Sequence, residues 1–170
     1  MRQAVLKLST KLTKAKSWGR IKIVGDIRFY ENFESKILNN KRRIFVWLPN
    51  GYKINTQKKY PVLYMHDGQN LIDPKTSYSG YDWKVDETAN RLIKNFKIKE
   101  IIIVGIDNTN DRLEEYSNSE KGKNYLRFII TELKPFIDSN FRTLTDRNNT
   151  AIMGSSMGGL ISFLAAWNHP

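Results

Sequence analysis

The sequence predicts an α/β fold in which helices cover both faces of a mostly parallel β-sheet. Segments with strand patterns alternate along the chain with segments of helical spacing. The later predicted strands are continuously apolar, which is typical of strands that are buried on both faces. Near the end of the chain, a short apolar strand runs through a glycine-rich turn into an apolar helix. The 170 residues, 40% of them hydrophobic, are enough for one domain with its own core.

Five segments have the pattern of core strands: Ile23–Phe29, Ile44–Leu48, Val62–Met65, Ile101–Ile106 and Ala151–Met153. The first contains Gly25-Asp26, so Arg20–Phe33 is predicted to form one or two strands with a turn or bulge. Asn39-Asn40 favours a tight turn before the second strand. Pro49-Asn50-Gly51 ends that strand.

Two longer segments show the three-to-four-residue spacing of helices that bury one face. They are Trp83–Phe96 and Lys121–Asn140. Asp86 and Glu87 lie in the predicted first turn of the former, where carboxylates stabilise the helix dipole. Pro135 is expected to bend or break the latter, because proline has no N–H to donate to the preceding turn.

The most informative motif is Gly154-Ser155-Ser156-Met157-Gly158, a Gly-x-Ser-x-Gly sequence between a predicted strand and a predicted helix. This context is the one that a nucleophile elbow requires, because the sharp turn lifts the serine hydroxyl clear of the backbone. The start of the helix also offers unpaired N–H groups to a developing oxyanion. The spacing selects Ser156 over Ser155 as the candidate nucleophile.

Three polar loops are predicted at the carboxyl ends of the later strands, where ligands bind in parallel sheets. They are 66–70, 107–111 and 154–158. His66, Asp67 and Asp107 lie in the first two and are therefore candidates to contact a substrate. For Asp107, the alternative is a turn-capping role.

The net charge of +11 is concentrated at the N-terminus. Six of the 28 basic residues lie within the first 20 residues, which contain no acidic residue. Residues 1–19 are therefore interpreted as a basic arm, either simply solvated or a contact for a polyanion or membrane surface. No nucleic-acid-binding signature accompanies this arm, and no specific nucleic-acid partner is predicted.

Several classes of protein and site are not favoured by the sequence. No apolar run approaches the length of a membrane span, and no secretory signal is evident. The absence of cysteine excludes a thiol mechanism and fits a cytoplasmic protein. No metal is predicted, since His66-Asp67 lacks a third clustered ligand. No cofactor is predicted, and Gly154–Gly159 lacks the Lys and Ser/Thr of a phosphate loop.

A resemblance to a known family rests on five ordered stretches between Gly25 and Pro170. They are Tyr60–Leu71, Ile102–Asn108, Arg112–Tyr116, Glu132–Asp138 and Gly154–Gly159. The chain resembles the esterase D and enterochelin esterase-like branch of the α/β-hydrolases, which overlaps with carbohydrate esterase family 1. The resemblance implies a three-layer α/β-hydrolase sandwich and serine-dependent hydrolysis of acyl esters of sugars, siderophores or similar small molecules, without metal or cofactor.

The resemblance also implies roles for individual residues. Ser156 takes the position of the nucleophile, and the Met157 N–H that of one oxyanion donor. The second donor is expected from Gly68 or Gln69, between which the sequence does not decide. Arg112 takes the position of a substrate-side residue, with a surface ion-pair cluster around Glu114 and Glu115 as the alternative.

The base and the carboxylate that would activate Ser156 are not evident. In α/β-hydrolases they follow the serine, but here no Asp or Glu follows Ser156, and His169 lies about 20 Å away along the predicted helix. His66 is considered only as a substitute base. We therefore expect residues 20–170 to be the N-terminal portion of one α/β-hydrolase domain, truncated after core strands 1–5 and inactive alone.

Two questions stay open at this stage. Tyr78, Tyr81 and Trp83 could form an aromatic wall for a substrate or pack against the first helix. The chain itself could be an esterase with Ser156 as nucleophile, or a non-catalytic binding protein whose half-sheet is completed by a partner. The sequence does not predict an oligomeric state.

Overall fold

The computed structural model describes residues 13–14 and 23–169. Its strands are β1 (Thr13–Lys14), β2 (Asp26–Ser35), β3 (Asn40–Leu48), β4 (Val62–His66), β5 (Ile102–Ile106) and β6 (Thr150–Met153). Its helices are α1 (Val85–Lys94), α2 (Arg112–Glu115), α3 (Glu120–Phe128), α4 (Lys134–Asn140) and α5 (Met157–Asn168). Short 3₁₀ turns lie at Asn50–Tyr52, Gly68–Asn70 and Arg147–Asn149.

The strands form a single sheet in the order β1-β2-β3-β5-β4-β6. β3 pairs antiparallel with β2 and with β5, whereas β4 pairs parallel with β5 and with β6. Among the five longer strands, β3 therefore runs opposite to the other four. The carboxyl ends of β4, β5 and β6 meet at one edge of the sheet, which places the three predicted loops together.

Alternating side chains of β3 enter two separate hydrophobic cores. Ile44, Val46 and Leu48 contribute to the core on the side of α3, α4 and α5. Phe45 and Trp47 contribute to the core on the side of α1, which buries Ala89. This period-two division of the strand confirms the prediction of a sheet covered by helices on both faces.

Two predicted elements differ in detail from the observed ones. The segment predicted as one or two strands over Arg20–Phe33 forms the ten-residue β2, whose register with β3 shifts between Tyr30 and Phe33. The helix predicted over 121–140 is divided by a π-helical segment at Ile129–Leu133. Pro135 lies in the first turn of α4, where proline is tolerated because the N–H groups of a first turn have no acceptor within the helix.

β6 and α5 leave apolar surface exposed at one side of the fold. β6 is the last strand of the sheet, and Met153 is half exposed. Ile161 of α5 is buried in the core, but Phe163 and Trp167 on the same helix are 60% and 73% exposed and stack on each other. An open sheet edge beside an exposed apolar helix face promotes association.

A fully buried ion pair links α2 to the sheet. Arg42 of β3 donates to both carboxylate oxygens of Glu115, at 3.0 and 2.7 Å, and both side chains are inaccessible to solvent. Asn40 also donates to Glu115, and the Arg42 guanidinium lies over the rings of Tyr125 and Phe128. The pair is thus surrounded by groups that offset the cost of removing two charges from water.

The basic arm predicted over 1–19 lies outside the described residues, except for Thr13–Lys14. The backbone of these two residues pairs antiparallel with β2 at Phe29 and Arg28. Within residues 23–169, no helix combines the length and the apolar character needed to cross a bilayer.

We predict that Glu115→Ala lowers the free energy of unfolding by about 3–5 kcal/mol, because Arg42 is then buried without a counter-charge. Urea denaturation followed by circular dichroism measures this change. Lys123→Ala is the matched control, since it removes an exposed ion pair with Glu120 and is expected to cost at most about 0.5 kcal/mol. Equal losses in the two variants would contradict a special role for the buried pair.

Candidate active site

The turn between β6 and α5 holds Ser156 in a strained backbone conformation. Its φ and ψ angles are 54° and −122°, a region that residues with a Cβ rarely occupy. Ser156 occupies the position just before α5, but its side chain does not cap the helix, as serines at this position usually do. It is also exposed. The hydroxyl is therefore presented at the surface rather than used to terminate the helix.

Gly154 and Gly158 allow the tight packing of this turn. A Cβ on Gly154 would lie 2.6 Å from the carbonyl carbon of Gly158, which is too close for any side chain. A Cβ on Gly158 would lie 3.4 Å from the Cβ of His66 and 3.5 Å from Oδ2 of Asp67. The start of α5 therefore lies against the end of β4 and the loop that follows it.

His66 is the last residue of β4 and is completely buried, rather than the first residue of the loop as predicted. Its Nδ1 is hydrogen-bonded to the Tyr125 hydroxyl at 2.8 Å, and its Nε2 has no partner among the described residues. Burial lowers the pKa of His66 to about 4. In this arrangement His66 is a neutral part of the core and does not face an open surface from which it could contact a substrate.

Asp67 follows His66 in a left-handed conformation, with φ 56° and ψ 46°. Arg112 donates to its two carboxylate oxygens from Nε and Nη2, at 2.7 and 2.8 Å, and Asn108 donates at 2.6 Å. Its own N–H donates to the Tyr116 hydroxyl. Burial by itself would raise the pKa of Asp67, but the hydrogen bonds from Arg112 and Asn108 outweigh burial and lower it. Asp67 is thus a buried, ionised anchor.

Gly68 and Gln69 begin the short 3₁₀ turn after this anchor. A Cβ on Gly68 would lie 2.6 Å from Oδ1 of Asp107, so only glycine fits. The Gln69 side chain accepts a hydrogen bond from the Asn108 N–H. Within residues 23–169, the backbone N–H groups of Gly68, Gln69 and Met157 donate to no acceptor. The resemblance to the esterase family implies Met157 as one oxyanion donor and either Gly68 or Gln69 as the second.

The carboxylate of Asp107, the residue that follows β5, is also buried within the protein. Its Oδ2 accepts a hydrogen bond from Arg43 Nε at 2.8 Å, and Oδ1 has no partner among the described groups. Burial raises the pKa of Asp107 to about 6, although the Arg43 guanidinium opposes this shift. The surroundings of Asp107 favour a structural role beside Gly68 over direct contact with a substrate.

The charged residues of α2 do not form the surface ion-pair cluster of Arg112, Glu114 and Glu115 that was the alternative in the sequence analysis. Glu115 is buried with Arg42, whereas Glu114 lies at the surface near Lys121. The Arg112 side chain is partly exposed, and its guanidinium forms an ion pair with Asp67. Sequence reasoning missed the partners Arg42 and Arg43, because nothing in a strand pattern marks which basic residue faces a buried carboxylate.

The loop that carries Tyr78, Tyr81 and Trp83, between the 3₁₀ turn Gly68–Asn70 and α1, is hydrogen-bonded to Gln69 and Asn70. The Tyr78 N–H donates to Asn70 Oδ1, the Trp83 N–H donates to the Asn70 carbonyl, and the Thr76 hydroxyl donates to the Gln69 carbonyl. Tyr78 and Tyr81 are 97% and 80% exposed. Neither tyrosine packs against the first helix, the alternative left open by the sequence.

One acidic cluster in the described part of the chain has oxygens close enough to share a cation. Asp82, Asp86 and Glu87 offer ligand atoms within 4.8 Å of one another. They lie at the start of α1, where the helix dipole stabilises carboxylates without any ion. Asp86 also accepts a hydrogen bond from the Val24 N–H. Burial, with a further contribution from Glu87, raises the pKa of Asp86 to about 7. The other oxygen of Asp86, Oδ1, has no hydrogen-bond partner among the described residues.

No general base reaches Ser156 among residues 23–169. His66 is buried and bonded to Tyr125, and His169 follows the last residue of the twelve-residue α5. A helix of that length spans about 18 Å, which separates His169 from the turn. The described residues therefore contain a candidate nucleophile and candidate oxyanion donors, but no base and carboxylate to complete a triad.

Comparison with known proteins identifies the family of this chain. Residues 35–170 match the model of the Esterase family, described as "Putative esterase". The chain belongs to this family.

Individual relatives are similar over most of this chain. An endo-1,4-beta-xylanase/feruloyl esterase of Xylanibacter ruminicola is 34% identical over 129 residues, which are 74% of this chain and 17% of that protein. The structure of a ferulic acid esterase has a TM-score of 0.68 at 33% identity, over 86% of this chain and 56% of that one. An IroE-like serine hydrolase of Shewanella oneidensis has a TM-score of 0.65 at 27% identity, over 82% of this chain and 46% of that one. The chain thus spans about half the length of either solved relative.

We predict that Ser156→Gly is more stable than Ser156→Ala by about 1 kcal/mol. Glycine adopts the positive φ of this turn without strain, whereas alanine keeps the Cβ that opposes it. Both variants lack the hydroxyl, so their difference in free energy of unfolding isolates the backbone term. Chemical denaturation measures it, and equal stability would show that the turn is not strained.

We predict that the imidazole of His66 titrates near pH 4 and stays neutral above about pH 5.5. The folded-state pKa is depressed below the ordinary value of about 6.5. His66 therefore contributes stability that is present above pH 6.5 and is lost as the pH falls through 4. NMR titration of the His66 Cε1–H resonance tests this, and a midpoint near 6.5 would contradict burial of the ring.

Proposed function

We propose that the protein is a serine carboxylic-ester hydrolase in which Ser156 is the nucleophile. The single observation that supports this most is the conformation of Ser156, which is strained, exposed and not used as a helix cap. Backbone strain of this kind persists where the surrounding structure enforces it, commonly at active sites. The match of the chain to an esterase family supports the same reaction class.

In the proposed reaction, Ser156 Oγ attacks the acyl carbon of the ester and gives up its proton to a base. The oxyanion that forms accepts hydrogen bonds from the Met157 N–H and from Gly68 or Gln69, whose N–H groups have no acceptor in the described part of the chain. The alcohol departs with a proton, and water then hydrolyses the acyl-enzyme by the same route. No step requires a metal or a cofactor.

We further propose that the base and its carboxylate come from sequence that follows residue 170 in the natural protein. The solved relatives are about twice as long as the part that this chain matches. The free edge of β6 and the exposed Phe163 and Trp167 offer a surface for further strands and helices. Residues 20–170 would then be the N-terminal portion of a single domain.

The substrate proposed is a small-molecule ester of an aromatic acid, a sugar or a siderophore. Relatives named as feruloyl and ferulic acid esterases support the first of these. The exposed Tyr78 and Tyr81, on the loop hydrogen-bonded to Asn70, offer flat rings near the proposed oxyanion donors.

We predict that a fluorophosphonate probe modifies Ser156 in the natural full-length protein, and that Ser156→Ala abolishes both this labelling and hydrolysis of 4-nitrophenyl acetate. The probe reacts only with an activated serine, so labelling reports the nucleophile together with its base. Mass spectrometry of the labelled peptide identifies the residue, and the intact mass shows whether the natural chain exceeds 19.9 kDa.

Ser155→Ala is the matched control, because it removes the neighbouring hydroxyl and should leave labelling intact. Loss of labelling in this variant alone would move the nucleophile to Ser155. A folded full-length protein without labelling or hydrolysis would instead support a non-catalytic binding protein built on the same half-sheet.

A further inference from the structure

Arg112 is the residue of α2 that contacts the loop carrying the proposed oxyanion donors. Its guanidinium donates from Nε and Nη2 to the two oxygens of the Asp67 carboxylate, and its carbon Cζ lies 5.0 Å from the centre of the Tyr116 ring. This planar, two-point arrangement is the strongest form of ion pair that side chains make. Asp67 directly precedes Gly68 and Gln69.

The geometry points to Arg112 as a positioning residue for ester hydrolysis: its fork holds Asp67, and thereby the turn from which Gly68 or Gln69 would donate an N–H group to the oxyanion. This inference rests on the proposed function. It replaces a direct contact between Arg112 and the substrate, which the resemblance implies, with an action through Asp67.

The conformation of Asp67 is the first reason for this inference. The left-handed conformation is uncommon for residues with a Cβ, although aspartate tolerates it better than most, and neighbouring contacts stabilise it at Asp67. Arg112 and Asn108 supply three hydrogen bonds to the Asp67 carboxylate, and the Tyr116 hydroxyl accepts the Asp67 N–H. The chain direction entering Gly68 is set at this residue, so releasing Asp67 would turn the next N–H groups away.

The way in which α2 is fixed is the second reason. This single turn carries Arg112 at one end and Glu115 at the other, and Glu115 is held by the buried Arg42 of β3. The position of Arg112 is therefore tied to the centre of the sheet.

The availability of the guanidinium is the third reason. The Arg112 side chain is only 28% exposed, and two of its nitrogens are already bonded to Asp67. The fork formed by Nε and Nη2 is therefore occupied by Asp67, and only the remaining N–H groups of the guanidinium could meet a substrate anion. Lysine could replace the charge of Arg112 but could not reproduce its two-point contact.

The experiment compares Arg112→Ala and Arg112→Lys in the natural full-length protein, with 4-nitrophenyl acetate as substrate. This ester is uncharged, so an anion-binding role for Arg112 would not affect its hydrolysis. We expect kcat to fall at least 10-fold in both variants while KM changes less than 3-fold, because an oxyanion donor acts mainly in the transition state. Guanidinium ion added to the Arg112→Ala variant should partly restore its kcat.

Lys134→Ala is the matched control, since Lys134 forms a similarly half-buried ion pair with Asp138 away from the site. Its kcat should stay within 2-fold of the parent. Unchanged kcat in both Arg112 variants, or full activity in Arg112→Lys, would overturn the inference. An effect on KM alone would also overturn it, in favour of direct binding.

Hydrogen exchange separates this inference from the proposed function. The Asp67, Asn70 and Leu71 N–H groups are hydrogen-bonded within or beside the turn. Arg112→Ala should accelerate their exchange at least 10-fold, whereas Lys134→Ala should not. If the parent protein shows no Ser156-dependent hydrolysis, the proposed function fails. Faster exchange in Arg112→Ala would then still support the inference that Arg112 holds Asp67 and the turn after it. Unchanged exchange in Arg112→Ala would overturn the inference that Arg112 holds this turn, whether or not the variant hydrolyses the ester.

Discussion

The buried ion pair between Arg42 and Glu115 is the constraint on which the arrangement of the site depends. Two charges without solvent access are tolerated only because each is matched and hydrogen-bonded, so neither partner can move alone. Glu115 thereby fixes α2, and α2 places Arg112 against Asp67. The loop at the end of β4 is thus fixed through contacts that lead back to β3 in the sheet, and not only by contacts within the loop.

The second half of the site depends on steric packing instead of charge. The parallel pairing of β4 with β6 brings the ends of the two strands side by side. Gly158 lets the start of α5 approach His66 and Asp67, and Gly154 lets the turn close on itself. The proposed nucleophile and oxyanion donors therefore come from the turns that follow two neighbouring strands, β4 and β6. Each turn contains one residue with a positive φ, Asp67 in the first and Ser156 in the second.

Much of the fold followed from local patterns, while the partners of the polar residues did not. The five core strands and the strand–turn–helix around Ser156 were predictable because apolar periodicity and glycine spacing are local properties. His66 was predicted in a loop because it is polar, yet it completes β4 inside the core, where Tyr125 pairs with it. That partner is 59 residues away in the sequence.

The sequence by itself determined the α/β class, the Gly-x-Ser-x-Gly turn and the lack of an acidic residue after Ser156. These features need no knowledge of distant contacts. Only the tertiary structure decided that Asp67 is held by Arg112, that Glu115 is buried with Arg42, and that Ser156 adopts a positive φ. The physical reason is that burial and pairing depend on which distant side chains meet, and strain persists only where such contacts enforce it.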